Sequence, residues 1–335
     1  MKQLPFNLVE KYFNIYAGQP KKLAKGDLNG GCWHCREGKS WGKKQRLWFL
    51  PDKDLIYCFN CNMSWNPLNW IKQVSGLNYK EILEEANGFD HFYSEDAEEV
   101  FTPAKKMSTL PLDSINLSDP VQVKYYSDSY VVQEALKIIH ERKLDTCANT
   151  AELYISLKDY VHKNRICIPF KDSDNKIRFY QTRAIFQNDA NRAKYLSKAN
   201  ADKTIFGLNK IDPEFEYLLI TEGPIDSMFI GKNGVSMAGL TITDHQKSLL
   251  SKYITFQRIW ILDNQLDNED VVEKYQNLIK QKERVFIWPK TYKAFKDINE
   301  LCCKVNLNSI KPEFFIDNSY TDLNATLRLN ESINR

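Results

Sequence analysis

The chain has 335 residues, room for one large core or two modest ones, and its 43% hydrophobic and 13% aromatic content excludes a disordered chain. Lys and Arg (46) nearly balance Asp and Glu (43), so the net charge of +3 says little until it is divided along the chain. Met1 to Cys61 carries eleven basic against five acidic residues, and His162 to Lys203 ten against four; Asp90 to Pro120 between them holds seven acids and two lysines. Two basic segments around an acidic stretch point to two surfaces for a polyanion, the plain alternative being ordinary solvated faces. The first residues, MKQLPFNLVEKYF, contain no long apolar run, which predicts neither a signal peptide nor a membrane span. The eight cysteines are then expected in a reducing, cytoplasmic setting, where close pairs favour metal or redox roles over structural disulfides.

In chain order, residues 1–88 hold a cysteine-bearing module. Cys32 and Cys35 (CWHC) and Cys58 and Cys61 (CFNC) form C-x2-C pairs separated by 22 residues. Two such knuckles deliver four thiolates to one tetrahedral Zn2+, and the loop between them suits a small antiparallel ribbon. A filled shell leaves no opening for catalysis and no need for His34, so the module is expected to display a surface. Its loop bears Lys39, Trp41, Lys43, Lys44, Arg46, Trp48 and Phe49, with Tyr57, Phe59 and Trp65 nearby. Basic side chains beside aromatic faces suit a single nucleic-acid strand, although a small module also needs aromatics for its own core. Gly38-Lys39-Ser40 imitates the end of a P-loop, but the earlier glycine falls on Trp33, so no fused NTP-driven motor is indicated.

The pattern NPLNWIKQVSGLNYKEILEEANG then predicts a helical pair broken at Ser75-Gly76. Residues 89–120 read as an acidic linker, 121–208 as a basic segment, and 301–335 as a short C-terminal tail. Within 209–300, the apolar runs Tyr217–Thr221, Val235–Ala238, Arg258–Leu262 and Val285–Trp288 alternate with helical stretches Ile225–Lys232, Thr243–Tyr253 and Glu269–Lys282. Alternation of this kind predicts a parallel α/β sheet with ligands beyond the carboxyl ends of its strands. The whole is therefore expected to be an α+β and α/β multidomain protein.

Acidic residues gather at two of those strand ends. TEGPID presents Glu222 where the first run stops, with Asp226 four residues on in the first helical turn, where its charge also favours the helix dipole. RIWILDNQLDNED presents Asp263 and Asp267, with Glu269 and Asp270 better suited to opening the next helix. Adjacent strand ends would bring Glu222 and Asp263 to one cleft, a setting for Mg2+ bound through carboxylates and substrate phosphates.

Taken together, these residues resemble the bacterial-type (DnaG-like) DNA primases, of the phage kind, over about residues 1–300. The order is CWHC…CFNC, the helical pair, the basic stretches NRICIPFKDSDNKIRFYQTRAI and AKYLSKANADKTIFGL, then TEGPIDSMF and RIWILDN as the glutamate and aspartate motifs of a TOPRIM fold, and FKDINEL. The resemblance implies an RNA-polymerase domain over 121–300, with 209–300 as its TOPRIM part, and synthesis of short RNA primers from ribonucleoside triphosphates on single-stranded DNA. It implies Glu222 and Asp263 as ligands of catalytic Mg2+ or Mn2+, Asp226 assisting, and Asp297 completing the acidic cluster or positioning a nucleotide. Arg165, Arg178, Arg183, Lys194 and Lys198 would hold template and nucleotide phosphates. The usual D-x-D motif here reads Asp263-Asn264-Gln265, and Asp267 is expected to replace the missing carboxylate. Without a fused motor, a separate replicative helicase is the expected partner, in the host cytoplasm if the chain is phage-encoded. Two readings stand beside primase: a TOPRIM nuclease, and a zinc-bearing single-stranded DNA-binding protein with a degenerate TOPRIM site.

Overall fold

The computed structural model describes residues 3–24, 26–37, 41–87, 109–159, 161–239 and 241–333. Lys39 with the P-loop imitation and most of the expected linker lie outside these residues. The chain divides into two compact units, 1–108 with 197–201, and 109–196 with 202–335.

In the first unit, α1 (Phe6–Tyr16) buries Leu8, Val9, Tyr12 and Phe13, one stripe of a helix. Five antiparallel strands follow in sequence order as one sheet: β1 (Gly18–Lys22), β2 (Leu28–Gly31), β3 (Leu47–Leu50), β4 (Leu55–Cys58) and β5 (Ser64–Trp65). Next come α2 (Pro67–Ser75) and α3 (Tyr79–Asn87), broken where expected. The Asn66 side chain caps α2 by accepting from the Asn69 N–H (2.7 Å), and Gly76 ends it at φ +76°, a left-handed conformation that costs glycine nothing. Phe13, Leu47, Ile56, Trp70, Ile71 and Ile82 join sheet and helices in one core.

The second unit begins inside the segment read as linker. Ser114–Asn116 is a strand, β6, because Ile115 is buried as the middle residue of a pairing with β7 (Tyr154–Ser156). Between them lie α4 (Pro120–Tyr125) and α5 (Tyr130–Glu141); β8 (Arg165–Lys171), β9 (Ile177–Ala184), α6 (Gln187–Ala193) and β10 (Tyr195–Ser197) follow. The sheet order is β10-β9-β8-β7-β6, built on a long β8–β9 hairpin.

The last sheet carries the predicted alternation. β11 (Tyr217–Thr221), β12 (Gly234–Ser236), β13 (Gln257–Ile261) and β14 (Arg284–Phe286) run parallel in the order β12-β11-β13-β14. Between them lie α7 (Pro224–Ser227), α8 (Asp244–Leu250) and α9 (Glu269–Lys280). The first of these helices is shorter than the predicted Ile225–Lys232: the chain must turn back sharply, and Gly234 passes so close that a Cβ there would meet the Ser227 carbonyl at 2.6 Å.

The region beyond residue 300 is folded rather than a loose tail. It comprises most of α10 (Ile298–Val305), then α11 (Pro312–Asp317), β15 (Ser319–Tyr320) and α12 (Asp322–Ile333). β15 adds an antiparallel edge to β14, and Ala325 and Leu329, one helical turn apart, enter the sheet's core. No helix among the described residues is long and apolar enough to cross a membrane.

Candidate active site and zinc centre

Cys32 follows β2 and Cys58 ends β4, two strands of one sheet with β3 between them, and both knuckles converge on one point. All four sulfurs lie within 4.8 Å of one another, the only such group of potential metal ligands among the described residues. The Cys35 and Cys58 sulfurs are 3.8 Å apart; the edge of a tetrahedron with zinc–sulfur bonds of about 2.3 Å is about 3.8 Å. The donor set fits a structural zinc. Asn60, inside CFNC, completes the setting: its main-chain N–H donates to Cys58 Sγ (3.4 Å) and its side-chain amide to Cys35 Sγ (3.4 Å). His34 instead faces the edge of Trp65, with centroids 6.2 Å apart. Of the aromatics around the knuckles, Phe49 and Tyr57 are buried core, while Trp41 is exposed and has Arg36 4.5 Å over its ring.

The acidic centre forms at the carboxyl end of the parallel sheet. β11 and β13 are neighbours with Thr221 opposite Ile261, so Glu222 and Asp263, just past the strands, come out side by side. The Glu222 carbonyl accepts from the Gly239 N–H (2.9 Å) and Ser236 Oγ (3.0 Å), which fixes the backbone of the turn. Asp226 sits in the first turn of α7, and a Cβ on Gly223 would come within 3.4 Å of its Oδ2, so glycine leaves space before the carboxylate. Asp297 caps α10, accepting from the Glu300 N–H at 2.7 Å.

The charges of these groups act on one another. Burial lifts Glu222 to about 7, against the pull of Lys274 and with a further push from Asp226. Burial, then Glu222 and Asp297, lift Asp263 to about 7, while Lys194 and Lys296 pull it down. Asp226 is held well above the usual carboxylate range by burial, Asp297 and Asp263, despite the Asn299 N–H and the Arg142 charge. Several carboxylates buried together without full neutralisation are a donor set for a hard divalent cation.

Asp267 stands apart from this group. The chain after Asp263 closes a tight turn (Gln265 N–H to Asp263 carbonyl, 2.9 Å), and α9 starts only at Glu269. Asp267 is exposed and lines a separate cavity of about 490 Å3 with Asn264, Trp288, Lys290 and Lys293. The carboxylate that acts on both Asp263 and Asp226 is Asp297. Asn264, the middle residue of the altered motif, explains the turn: its main-chain N–H donates to the Lys296 carbonyl (2.7 Å) and its side chain to those of Tyr292 (3.1 Å) and Phe295 (2.8 Å). That clamp brings KDIN beside Asp263.

The basic residues separate as well. Lys194 acts electrostatically on Asp263, while Arg183 hydrogen-bonds Tyr195 Oη and acts on Arg142 and Lys194, the cations of this group. Arg165 does not present a phosphate site. It is 2% exposed, and its guanidinium donates to Thr182 Oγ1 (3.2 Å) and to the carbonyls of Ala193 (2.6 Å) and Lys194 (3.0 Å), which makes it a brace for that segment. Arg178 pairs with Asp172 at the turn end of the β8–β9 hairpin, at the opposite end of β9 from Arg183. Lys198 falls in the short segment grouped with the first unit. Sequence reasoning missed Arg142, Lys296, Lys274 and Asn299. Lys296 and Asn299 lay within the quoted FKDINEL; Arg142, just past the end of α5, and Lys274, within α9, belong to ordinary amphipathic stretches that carry no local signal.

Residues 219–302 match the Toprim-like family, a span that holds Glu222, Asp226, Asp263, Asp267 and Asp297. The DNA primase of Enterobacteria phage T4 is 26% identical over 313 residues, covering 90% of this chain and 88% of that one. Among solved structures, the Aquifex aeolicus primase (zinc-binding and RNA polymerase domains) matches at 16% identity and a TM-score of 0.36, covering 99% of this chain and 86% of that one. The E. coli primase catalytic core matches at 14% identity and 0.39, covering 54% and 72%. The chain thus resembles a phage DNA primase over nine-tenths of its length, and its acidic centre lies inside a Toprim-like domain.

Proposed function

We propose that this protein is a DNA primase that makes short RNA primers on single-stranded DNA from ribonucleoside triphosphates. The observation that carries the reading is the acidic centre of Glu222, Asp263, Asp226 and Asp297 at paired strand ends, inside a Toprim-like domain and beside a cluster of cations. Glu222 and Asp263 would hold Mg2+ or Mn2+, with Asp226 and Asp297 behind them, and such an ion would supply Lewis acidity for an attacking hydroxyl and charge for a leaving pyrophosphate. Arg142, Arg183, Lys194 and Lys296 supply charge for the triphosphate, the two arginines as forks and the lysines as point charges. Tyr195 orients Arg183 through its hydroxyl. Asn264 sets the distance between the Asp263 turn and the Lys296-Asp297 segment.

Template binding is assigned to the zinc module, where exposed Trp41 offers a stacking face beside Arg36. A replicative helicase on a separate chain is the proposed partner at the fork. Incubation with single-stranded DNA, labelled ribonucleotides and Mg2+ tests the reading. Short RNA supports primase; loss of DNA supports a nuclease; binding without either product supports a DNA-binding protein with a degenerate site.

A further inference from the structure

We infer that Asn299 is a positioning residue: its side chain fixes the Arg142 guanidinium beside the acidic centre, while its main chain independently holds Asp226. The inference rests on the proposed nucleotidyl transfer and assigns Arg142 to the phosphates of the incoming nucleotide. Asn299 is 3% exposed, in the first turn of α10. Its Oδ1 accepts from Arg142 Nη1 (2.7 Å), and its Nδ2 donates back to the Arg142 carbonyl (3.0 Å). One amide thus grips both the side chain and the backbone of a residue 157 positions away, at the end of α5. The Asn299 main-chain N–H donates to Asp226 Oδ1 (2.9 Å).

Beyond the bond from Nη1 to Asn299, the guanidinium N–H groups of Arg142 have no hydrogen-bond partner among the described residues. Arg142, Arg183 and Lys194 also repel one another, and burial disfavours the charge of Arg142 and Lys194 further. Cations held together against their own repulsion call for a polyanion, and a guanidinium anchored at one nitrogen still offers a fork to phosphate oxygens. The Asn299 amide is spent on Arg142 and on an approach to Cys303 Sγ (3.6 Å), so it acts through Arg142 rather than on the substrate.

The two halves of Asn299 can be separated, because alanine keeps the main-chain bond to Asp226 and loses the grip on Arg142 together with the longer contact to Cys303 Sγ. Asn299→Ala should raise the KM for ribonucleotides about tenfold, the worth of one charge-assisted hydrogen bond. Its kcat and the Mg2+ concentration for half-maximal primer synthesis should stay within about twofold. Arg142→Ala should raise KM at least as far, and the double variant no further, because the two residues act as one. Arg142→Lys keeps the charge without the fork and should behave like Arg142→Ala; this arm stands even if Asn299→Ala does not fold. An unchanged KM, losses that add in the double variant, a Mg2+ requirement that moves with KM, or full activity of Arg142→Lys would each overturn the assignment. Equilibrium binding of a non-hydrolysable ribonucleoside triphosphate reads the same tenfold loss without turnover. A wild-type protein that makes no RNA but shows this loss would overturn the primase reading and leave the role of Asn299 standing.

Discussion

Replacing Glu222 by Gln removes a carboxylate that the fold ionises only at a cost, and that cost has a definite pH dependence. Burial moves Glu222 from its ordinary 4.5 to about 7, with Lys274 opposing and Asp226 assisting. At about 1.4 kcal/mol for each pH unit between the two values, ionisation at pH 8 takes about 3 kcal/mol from the stability of the magnesium-free fold. The sign follows from the folded value lying above the unfolded one. Below 4.5 the group is protonated in both states and stability is intact; it falls as the pH rises from 4.5 to 7, and the loss is complete above 7. Glu222→Gln should therefore match the wild type near pH 4.5 and exceed it by about 3 kcal/mol at pH 8. With a urea m-value of about 3 kcal/mol/M, that is a midpoint shift of about 1 M. Urea unfolding is followed across pH 4.5–8.5 in magnesium-free buffer with zinc retained and no chelator. Added Mg2+ should stabilise the wild type at pH 8 and reverse the order of the two proteins, because only the wild type keeps the full ligand pair. An offset that stays constant with pH, or shrinks as pH rises, would refute the argument that buried carboxylates await a cation here.

Further outcomes follow from the placement of individual residues. Asp263→Asn and Asp297→Asn should each lower primer synthesis by about a hundredfold or more, whereas Asp267→Asn should stay within about threefold across a Mg2+ titration; the reverse ranking would return Asp267 to the site. Arg165→Met should destabilise the second unit by about 2–4 kcal/mol in urea unfolding, because Thr182 and the carbonyls of Ala193 and Lys194 lose a buried donor; retained stability with weakened DNA binding would restore a phosphate role. Arg178→Ala, which breaks only an exposed pair with Asp172, should leave primer yield within about twofold. Removing zinc with a strong chelator, or Cys58→Ser, should melt the ribbon sheet as read by circular dichroism, with loss of template binding; an unchanged spectrum would argue against a structural metal.

Much of this protein was legible one segment at a time. Zinc ligands are a matter of residue type and spacing, and the CWHC and CFNC knuckles needed only one small sheet to bring them together. Apolar runs alternating with helical ones named the strands from Tyr217 to Trp288 to within two or three residues, since period and length are local properties. The end of the linker segment and the tail hold structure that the sequence did not announce, for a shared reason. Ser114–Asn116 and Ser319–Tyr320 are short edge strands whose burial comes from a partner strand far away in the sequence, and no periodicity announces that.

What the chain determines by itself, then, is the chemistry on offer: four thiols for a metal, acids at strand ends, cations between them. Tertiary structure decided which of those groups work together. Arg165 and Arg178 look like Arg183 in the sequence, yet one is a buried brace, one a partner of Asp172, and one a neighbour of Arg142 and Lys194. Asp267 is four residues from Asp263 and outside the cluster; Asp297 is thirty-four residues from Asp263 and inside it, because Asn264 clamps the two segments. Arg142 is tied to this group by the Asn299 amide, 157 positions away in the sequence. Charge acts through distance in space, and distance in space is set by hydrogen bonds between segments that sequence proximity does not reveal.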